Sequence, residues 1–307
     1  MDGQVFMEWT SLTALHLKGN ELVTLPLNFT GLLKIKVAEF DWEHLILPPP
    51  EVAKQGNKVV LDYLYQMTIA LKRLRLNLSD KGLLNLPVHL TNIERLDLLN
   101  LNANKFRLLE PYIESLSMLK TLSMDRNLMP SLPKEFCRLT LLTDLSIVEN
   151  NLQMLPHDFG KLTHLTSLKL QSNALTELPG NFTELVNLTH LSLRYNRLKA
   201  LPYNIGGADF SLGPFIPIFM GGLRLMEYLD ASNNDLEVVP KSVLGMTNLT
   251  TLFLDQNPLK AIPDRLKLLK KCDTFTIAIE KLTVLEKLDI QKLDVKIIPP
   301  KEVVMRG

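Results

Sequence analysis

The sequence predicts an α/β solenoid: a right-handed, curved stack of short turns with a parallel β-sheet on its concave face. Three observations predict it. Asparagine recurs every 23 residues at Asn127, Asn150, Asn173 and Asn196, leucines hold fixed offsets around each one, and a proline follows six residues later. A period of this length marks a fold in which each turn buries its apolar side against its neighbours.

Counting back in the same step from Asn127 reaches Asn104 and then Lys81, while Asn20, Asn234 and Asn257 stand in the same local context. Eight residues before the anchor lie Leu96, Leu119, Leu142, Leu165 and Leu188. Five before lie Leu122, Leu145, Leu168 and Leu191, and three before lie Met124, Ile147, Leu170 and Leu193. Five after lie Leu132, Leu155, Leu178 and Leu201. Six after come Pro26, Pro87, Pro133, Pro156, Pro179, Pro202, Pro240 and Pro263, with Glu110 as the break.

Each part has a physical reason. The LxL pair alternates with period two and reads as a short strand with its leucines inward. The asparagine amide bonds backbone groups where the chain leaves the strand, worth about 0.5–1.5 kcal/mol per layer. Proline, with a fixed φ and no N–H, suits the extended return segment. Each buried leucine contributes roughly 1.5–3 kcal/mol, but only when a neighbouring turn covers it.

The motif LxxLxLxxNxLxxLPxxFxxL resembles the leucine-rich-repeat family. The resemblance covers most of the chain, about eleven turns when the degenerate ones centred on Glu43 and Leu293 are included.

Composition agrees. Hydrophobic residues make up 46% of the 307 and aromatics only 7%, so aliphatic side chains carry the core, as many small layers require. The net charge of +1 gives no electrostatic reason to expect nucleic acid or an anionic membrane as partner. Two cysteines, Cys137 and Cys272, are too few for a disulfide framework. Residues 1–10 lack the pattern of a signal peptide, and no apolar run reaches the roughly 20 residues that span a bilayer. The expectation is a cytoplasmic protein, monomeric by default, whose sequons at Asn28, Asn77, Asn181, Asn187 and Asn248 go unused.

Three spacings depart from the period. They divide the chain into an N-terminal block of two turns (1–50), an amphipathic helical insert (51–72) and a main solenoid (73–307) interrupted at 207–221 and 264–283. The first break follows Pro48-Pro49-Pro50-Glu51-Val52 and carries Val60, Leu61, Leu64, Met67 and Leu71 at helical spacing. It resembles a segment that closes repeat blocks in intracellular members of the family. Pro299-Pro300-Lys301-Glu302-Val303 looks like the start of a second copy, so a missing C-terminal cap or a fragment is expected.

Removing residues 207–221 restores a perfect turn. That segment reads as a loop on the convex or edge side, as a hydrophobic docking loop built on Phe210, Phe215, Ile216, Ile218 and Phe219, or as a variant exon. The third break holds Arg265 and Lys267, Lys270 and Lys271 among leucines. It reads as a convex-face helix with solvated lysines, or as a basic amphipathic helix for calmodulin or a membrane surface.

No phosphate-binding, metalloprotease, nucleophile-elbow or kinase signature occurs. The six histidines share no ligand spacing, so neither cofactor, metal nor catalytic residue is expected. Binding has physical support, because residues between the strand leucines form columns on the concave face. These are Asp125 and Arg126, Asp144 and Glu149, Lys169 and Gln171, Arg194 and Tyr195, Tyr228 and Asp230, and Phe253 and Asp255. Arginine and aromatics on adjacent strands have the composition of an interface hot spot. The expected partner is another protein.

A 23-residue turn with Leu-Pro and a following [F/I]xxL is similar to the intracellular Ras-group leucine-rich-repeat proteins, including the plant members. The resemblance implies a scaffold or adaptor, in some members acting on small Ras-like GTPases. A regulatory region of a larger signalling enzyme, with a kinase or GTPase domain, is the alternative. An immune-type sensor is a third.

Overall fold

A computed structural model of the chain describes residues 11–209, 218–219, 222–277 and 295–297, apart from Leu33, Glu94, Asp264 and Arg265. It divides into two compact units, Met1–Met129 and Pro130–Gly307.

In the first unit, β1 (Ala14–His16) pairs in parallel with β2 (Val37–Glu39). A short α1 (Pro50–Ala53) and the longer α2 (Asn57–Arg73) follow. Then β3 (Arg75–Asn77), β4 (Leu98–Asn100) and β5 (Thr121–Ser123) form a parallel ladder. In the second unit β6 (Asp144–Ser146), β7 (Ser167–Lys169) and β8 (His190–Ser192) pair in the same sense. A small antiparallel pair, β9 (Ala208–Asp209) and β10 (Ile218–Phe219), leaves the stack. The ladder resumes with β11 (Tyr228–Asp230), β12 (Thr251–Phe253), β13 (Thr274–Ile277) and β14 (Val295–Ile297).

The ladder strands are short, and in each repeat the central side chain points into the turn. Leu76, Leu99, Leu122, Leu145, Leu168, Leu191, Leu229 and Leu252 fill this position and are buried. Leaving the strand, the chain passes through a left-handed residue just before each anchor. Asp80, Ala103, Arg126, Glu149, Ser172, Tyr195, Asn233 and Gln256 all have φ between 52° and 58°. L-residues adopt this conformation at a cost of about 1 kcal/mol or more. The compensation is visible in the ladder: the N–H groups of Ala103, Ser172 and Asn233 donate to the carbonyls of Asp125, Arg194 and Asp255 on the next turn.

The anchor then ties two turns together. Asn104 donates to Leu78 O (2.8 Å) and Leu101 O (2.9 Å) and accepts from Leu83 N (3.0 Å). Asn127 donates to Leu101 and Met124 and accepts from Phe106; Asn173 does so with Ile147, Leu170 and Leu152. Asn196 and Asn257 repeat the pattern. Asn150 donates to Val148 O, and among the described residues Asn20 bonds within its own turn, to Leu17 O and Lys18 O. Lys81, in the anchor place, donates through its ammonium to Ser79 O and pairs with Asp62 on α2 at 3.0 Å.

The prolines do more than stay extended. Pro26, Pro87, Pro133, Pro179 and Pro240 each precede a one-turn 3-10 helix, and their carbonyls accept its first hydrogen bond. That bond comes from Phe29, Leu90, Phe136, Phe182 and Val243, all fully buried in their own turns. Phe159 and Phe182 stack at 6.3 Å with rings 6° from parallel.

At the stem of the fifteen-residue excursion Gly207 faces Gly222, the first residue after it. A Cβ on Gly222 (φ +90°) would fall 2.1 Å from Gly207 N. Leu223 N donates to Ile205 O across the stem, and β8 pairs with β11 at His190–Tyr228 as an uninterrupted turn would. β9 lies against the 3-10 turn Lys241–Gly245. Phe210, Phe215 and Ile216 lie outside the described residues.

The third break differs from expectation. Among the described residues of the basic stretch no α-helix forms; a 3-10 turn at Leu266–Leu268 leads into β13, whose Thr274 stands opposite Thr251. Cys272, Phe275 and Ile277 are buried where the previous turn has Leu249, Leu252 and Leu254. A further turn therefore runs through part of the interval 264–283, and the lack of an asparagine anchor concealed it. The turn expected around Leu293 and the closing Pro299-Pro300 segment lie outside the described residues, β14 apart.

Candidate protein-binding surface

The strand residues that flank the buried leucine face away from the core. In the second unit this places three rings on adjacent strands. Tyr228 stacks on His190 at 6.1 Å and 15°, and meets Phe253 edge-on at 5.8 Å and 82°. The register causes it: His190 pairs with Tyr228, and Asp230 with Phe253. Such pairs contribute about 0.5–1.5 kcal/mol beyond area burial and hold the rings in place. Burial, and then the nearby Asp230, push the Tyr228 phenol above its ordinary range, while Arg194 opposes them.

Arg194 lies over the Tyr195 ring, 4.5 Å from its centre, and donates to the phenol oxygen at 3.0 Å. Both side chains are exposed, on the left-handed turn beside the strand. Beside the rings is an open groove of about 590 Å³ lined by Asp144, Lys169, Gln171, His190, Ser192 and Tyr228, among others. The Gln171 side-chain oxygen in its wall is buried without a hydrogen-bond partner.

Not every expected surface residue faces outward. Asp230, expected on the partner-facing side, is 5% exposed and is spent internally. Its carboxylate accepts from Ser232 N at 3.0 Å and from the Ser232 hydroxyl at 2.6 Å, so it shapes the turn. Asp255 is half-buried and accepts from the Thr276 hydroxyl at 2.7 Å. Lys169 and Glu149 are exposed, Glu149 on a left-handed turn. Asp125 and Arg126 belong to the first unit: Asp125 N donates to Asn102, and Arg126 is exposed on its left-handed turn. His190 was missed; the available signal was that it holds the same register position as Tyr228.

Among the described residues no group of three or more His, Cys, Asp or Glu could hold a metal ion. Cys137 and Cys272 are free and buried, and burial pushes both thiols up to about 11. No helix among the described residues is long and apolar enough to cross a membrane.

Parallel three-residue strands, an asparagine ladder and Leu-Pro returns define a leucine-rich-repeat fold. Residues 140–198 match the leucine rich repeat family. Solved structures extend the likeness over nearly the whole chain. A leucine-rich-repeat protein of Leptospira interrogans is 23% identical with a TM-score of 0.57, over 98% of this chain and 77% of that one. An internalin of Listeria monocytogenes is 19% identical with a TM-score of 0.57, over 92% and 74%. The ectodomain of the Arabidopsis thaliana receptor kinase GASSHO1/SCHENGEN3 is 20% identical with a TM-score of 0.53; it matches 95% of this chain, which spans 30% of it. No curated protein matches the sequence.

Proposed function

We propose that the chain is a protein-binding scaffold that holds its partner against the sheet face around Arg194, Tyr195, Tyr228 and Phe253, with Lys169 and Gln171 beside them. The observation that carries this reading is the ring of Tyr228 held between His190 and Phe253, next to an exposed arginine. Immobilised aromatics lose little side-chain entropy on binding, and arginine beside them is the usual hot-spot composition. The GASSHO1/SCHENGEN3 ectodomain, which shares the fold, was solved in complex with CASPARIAN STRIP INTEGRITY FACTOR 2. The resemblance to the Ras-group proteins supports the finer reading of a cytoplasmic adaptor for a small Ras-like GTPase, and Glu149 and Asp255, in the same unit, extend the surface.

The test is capture of purified Ras-like GTPases by the full chain, compared with the variant carrying Arg194→Ala, Tyr195→Ala, Tyr228→Ala and Phe253→Ala. Loss of capture with an unchanged melting temperature supports the surface. Equal capture by both proteins overturns the surface, and capture by neither overturns the GTPase reading.

A further inference from the structure

The strand ladder of the first unit has a gap, and one of its edges is open. β2 pairs with β1 and β3 with β4, but β2 and β3 belong to separate sheets. α1 and α2 occupy the chain between them.

The hydrogen bonds show what β2 lacks. At the other turns of this unit the residue just after the strand donates to the next strand. Leu17 N donates to Glu39 O (2.6 Å), Leu78 N to Asn100 O (2.8 Å) and Leu101 N to Ser123 O (2.7 Å). Phe40 holds this place after β2 and makes no such bond. In a parallel strand alternate residues present N–H and C=O to opposite sides. Val37 N and Glu39 O are turned to β1, so Ala38 presents both its groups to the gap. One group on this edge is already satisfied by a surrogate. Leu74 O, its counterpart at the next turn, accepts from backbone Asp97 N, whereas Lys36 O accepts from the Asn57 side chain at 3.2 Å.

A groove of about 390 Å³ runs along this edge, with Ala38, Phe40 and Gly56 among its lining residues. Its lining carries three carboxylates, Glu39, Asp41 and Glu43, against one ammonium, Lys18. Trp42 adds an indole face, with Lys54 4.0 Å over its ring. His16 engages Glu39 at 2.9 Å and holds its carboxyl below the usual range, so that carboxylate keeps its charge.

We propose that this edge is a second binding site, which takes an extended, lysine- or arginine-bearing segment of another protein as an added parallel strand on β2. Main-chain bonds to Ala38 and Phe40 supply the register, and alternate side chains of the segment meet the carboxylates. The site is independent of the sheet face around Tyr228.

The test uses the full chain and two eight-residue peptides, alternating Lys-Val and alternating Glu-Val. The expected result is that the lysine peptide binds at least tenfold tighter than the glutamate peptide and slows hydrogen exchange at Ala38 and Phe40, which exchange rapidly in the free protein. Ala38→Pro removes a donor that β1 does not use and should abolish binding. N-methylation of alternate peptide residues should do the same without altering the protein, while methylation of the other set should not. Slow exchange at Ala38 in the free chain, equal binding of the two peptides, no binding of the lysine peptide, or concentration-dependent dimerisation through this edge would each overturn the proposal.

Discussion

Asn234 donates to the carbonyl of Leu193, 41 residues earlier, at 2.9 Å. The span is long only in sequence. The excursion between Gly207 and Gly222 lies within it, and the amide still finds the carbonyl that a 23-residue turn would place there. Asn234 also donates to Ala231 O and accepts from Leu198 N at 3.0 Å.

Asn234→Ala therefore strands backbone groups on two turns in a site 5% exposed, and should cost about 2–4 kcal/mol. Asn20→Ala should cost less than about 1 kcal/mol, because Asn20 is exposed and, among the described residues, bonds within its own turn. Chemical denaturation of the two variants measures the contrast; equal losses would show that the inter-turn bonds carry no weight.

Gly160 marks how closely adjacent returns approach. A Cβ there would lie 2.0 Å from the carbonyl oxygen of Asn181, whereas one on Gly180 would meet nothing within 4 Å. Gly160→Ala should destabilise by about 3 kcal/mol, and Gly180→Ala should be neutral or slightly stabilising. Thermal melts of both distinguish crowding from a general intolerance of alanine in these turns.

Asp230 allows structural and interface roles to be separated. Asp230→Ala leaves the Ser232 N–H and hydroxyl without their acceptor and should lower stability by about 1–3 kcal/mol. Arg194→Ala, on an exposed turn, should leave stability within about 0.5 kcal/mol. Denaturation midpoints decide the matter, and an unaffected Asp230→Ala protein would return Asp230 to the binding surface.

His89 predicts acid sensitivity in the first unit. Its Nε2 lies 2.9 Å from the Tyr63 hydroxyl, and burial lowers its pKa from 6.5 to about 4. The unfolded chain then binds more protons than the folded one between those values. Stability contributed by the neutral imidazole is full above about pH 6.5 and is lost as pH falls towards 4, by up to about 3 kcal/mol. Denaturation across this window should show the slope, and His89→Gln should flatten it.

Much of this fold was legible because its period is covalent. A leucine that must meet its counterpart one turn away has to recur at fixed spacing, and so does the asparagine that bridges the two. Other features carry no fixed letter. The left-handed position before each anchor holds Asp80, Ala103, Arg126, Glu149 and Tyr195 alike, because the ladder bonds, not the side chain, hold that conformation. The turn through β13 was hidden because Phe275 and Cys272 replace leucines and no asparagine follows. The candidate surface was legible in composition but not in direction. Alternation alone did not show that Asp230 folds back onto Ser232 or that His190 joins Tyr228, since both depend on neighbours one turn away.

The insert at α1 and α2 also governs how the first unit comes apart. Elsewhere in that unit neighbouring turns are sewn by backbone bonds, but here the connection passes through side chains. Gln55 reaches Lys81 O, Glu51 accepts from Leu84 N, Asp62 meets Lys81 and Tyr63 meets His89. Such a junction acts as a fuse. Acid that protonates His89 weakens one of these ties, so the seam between α2 and the turns after it loosens before the backbone ladder from β3 onward is touched. The protein thereby has a built-in place to yield.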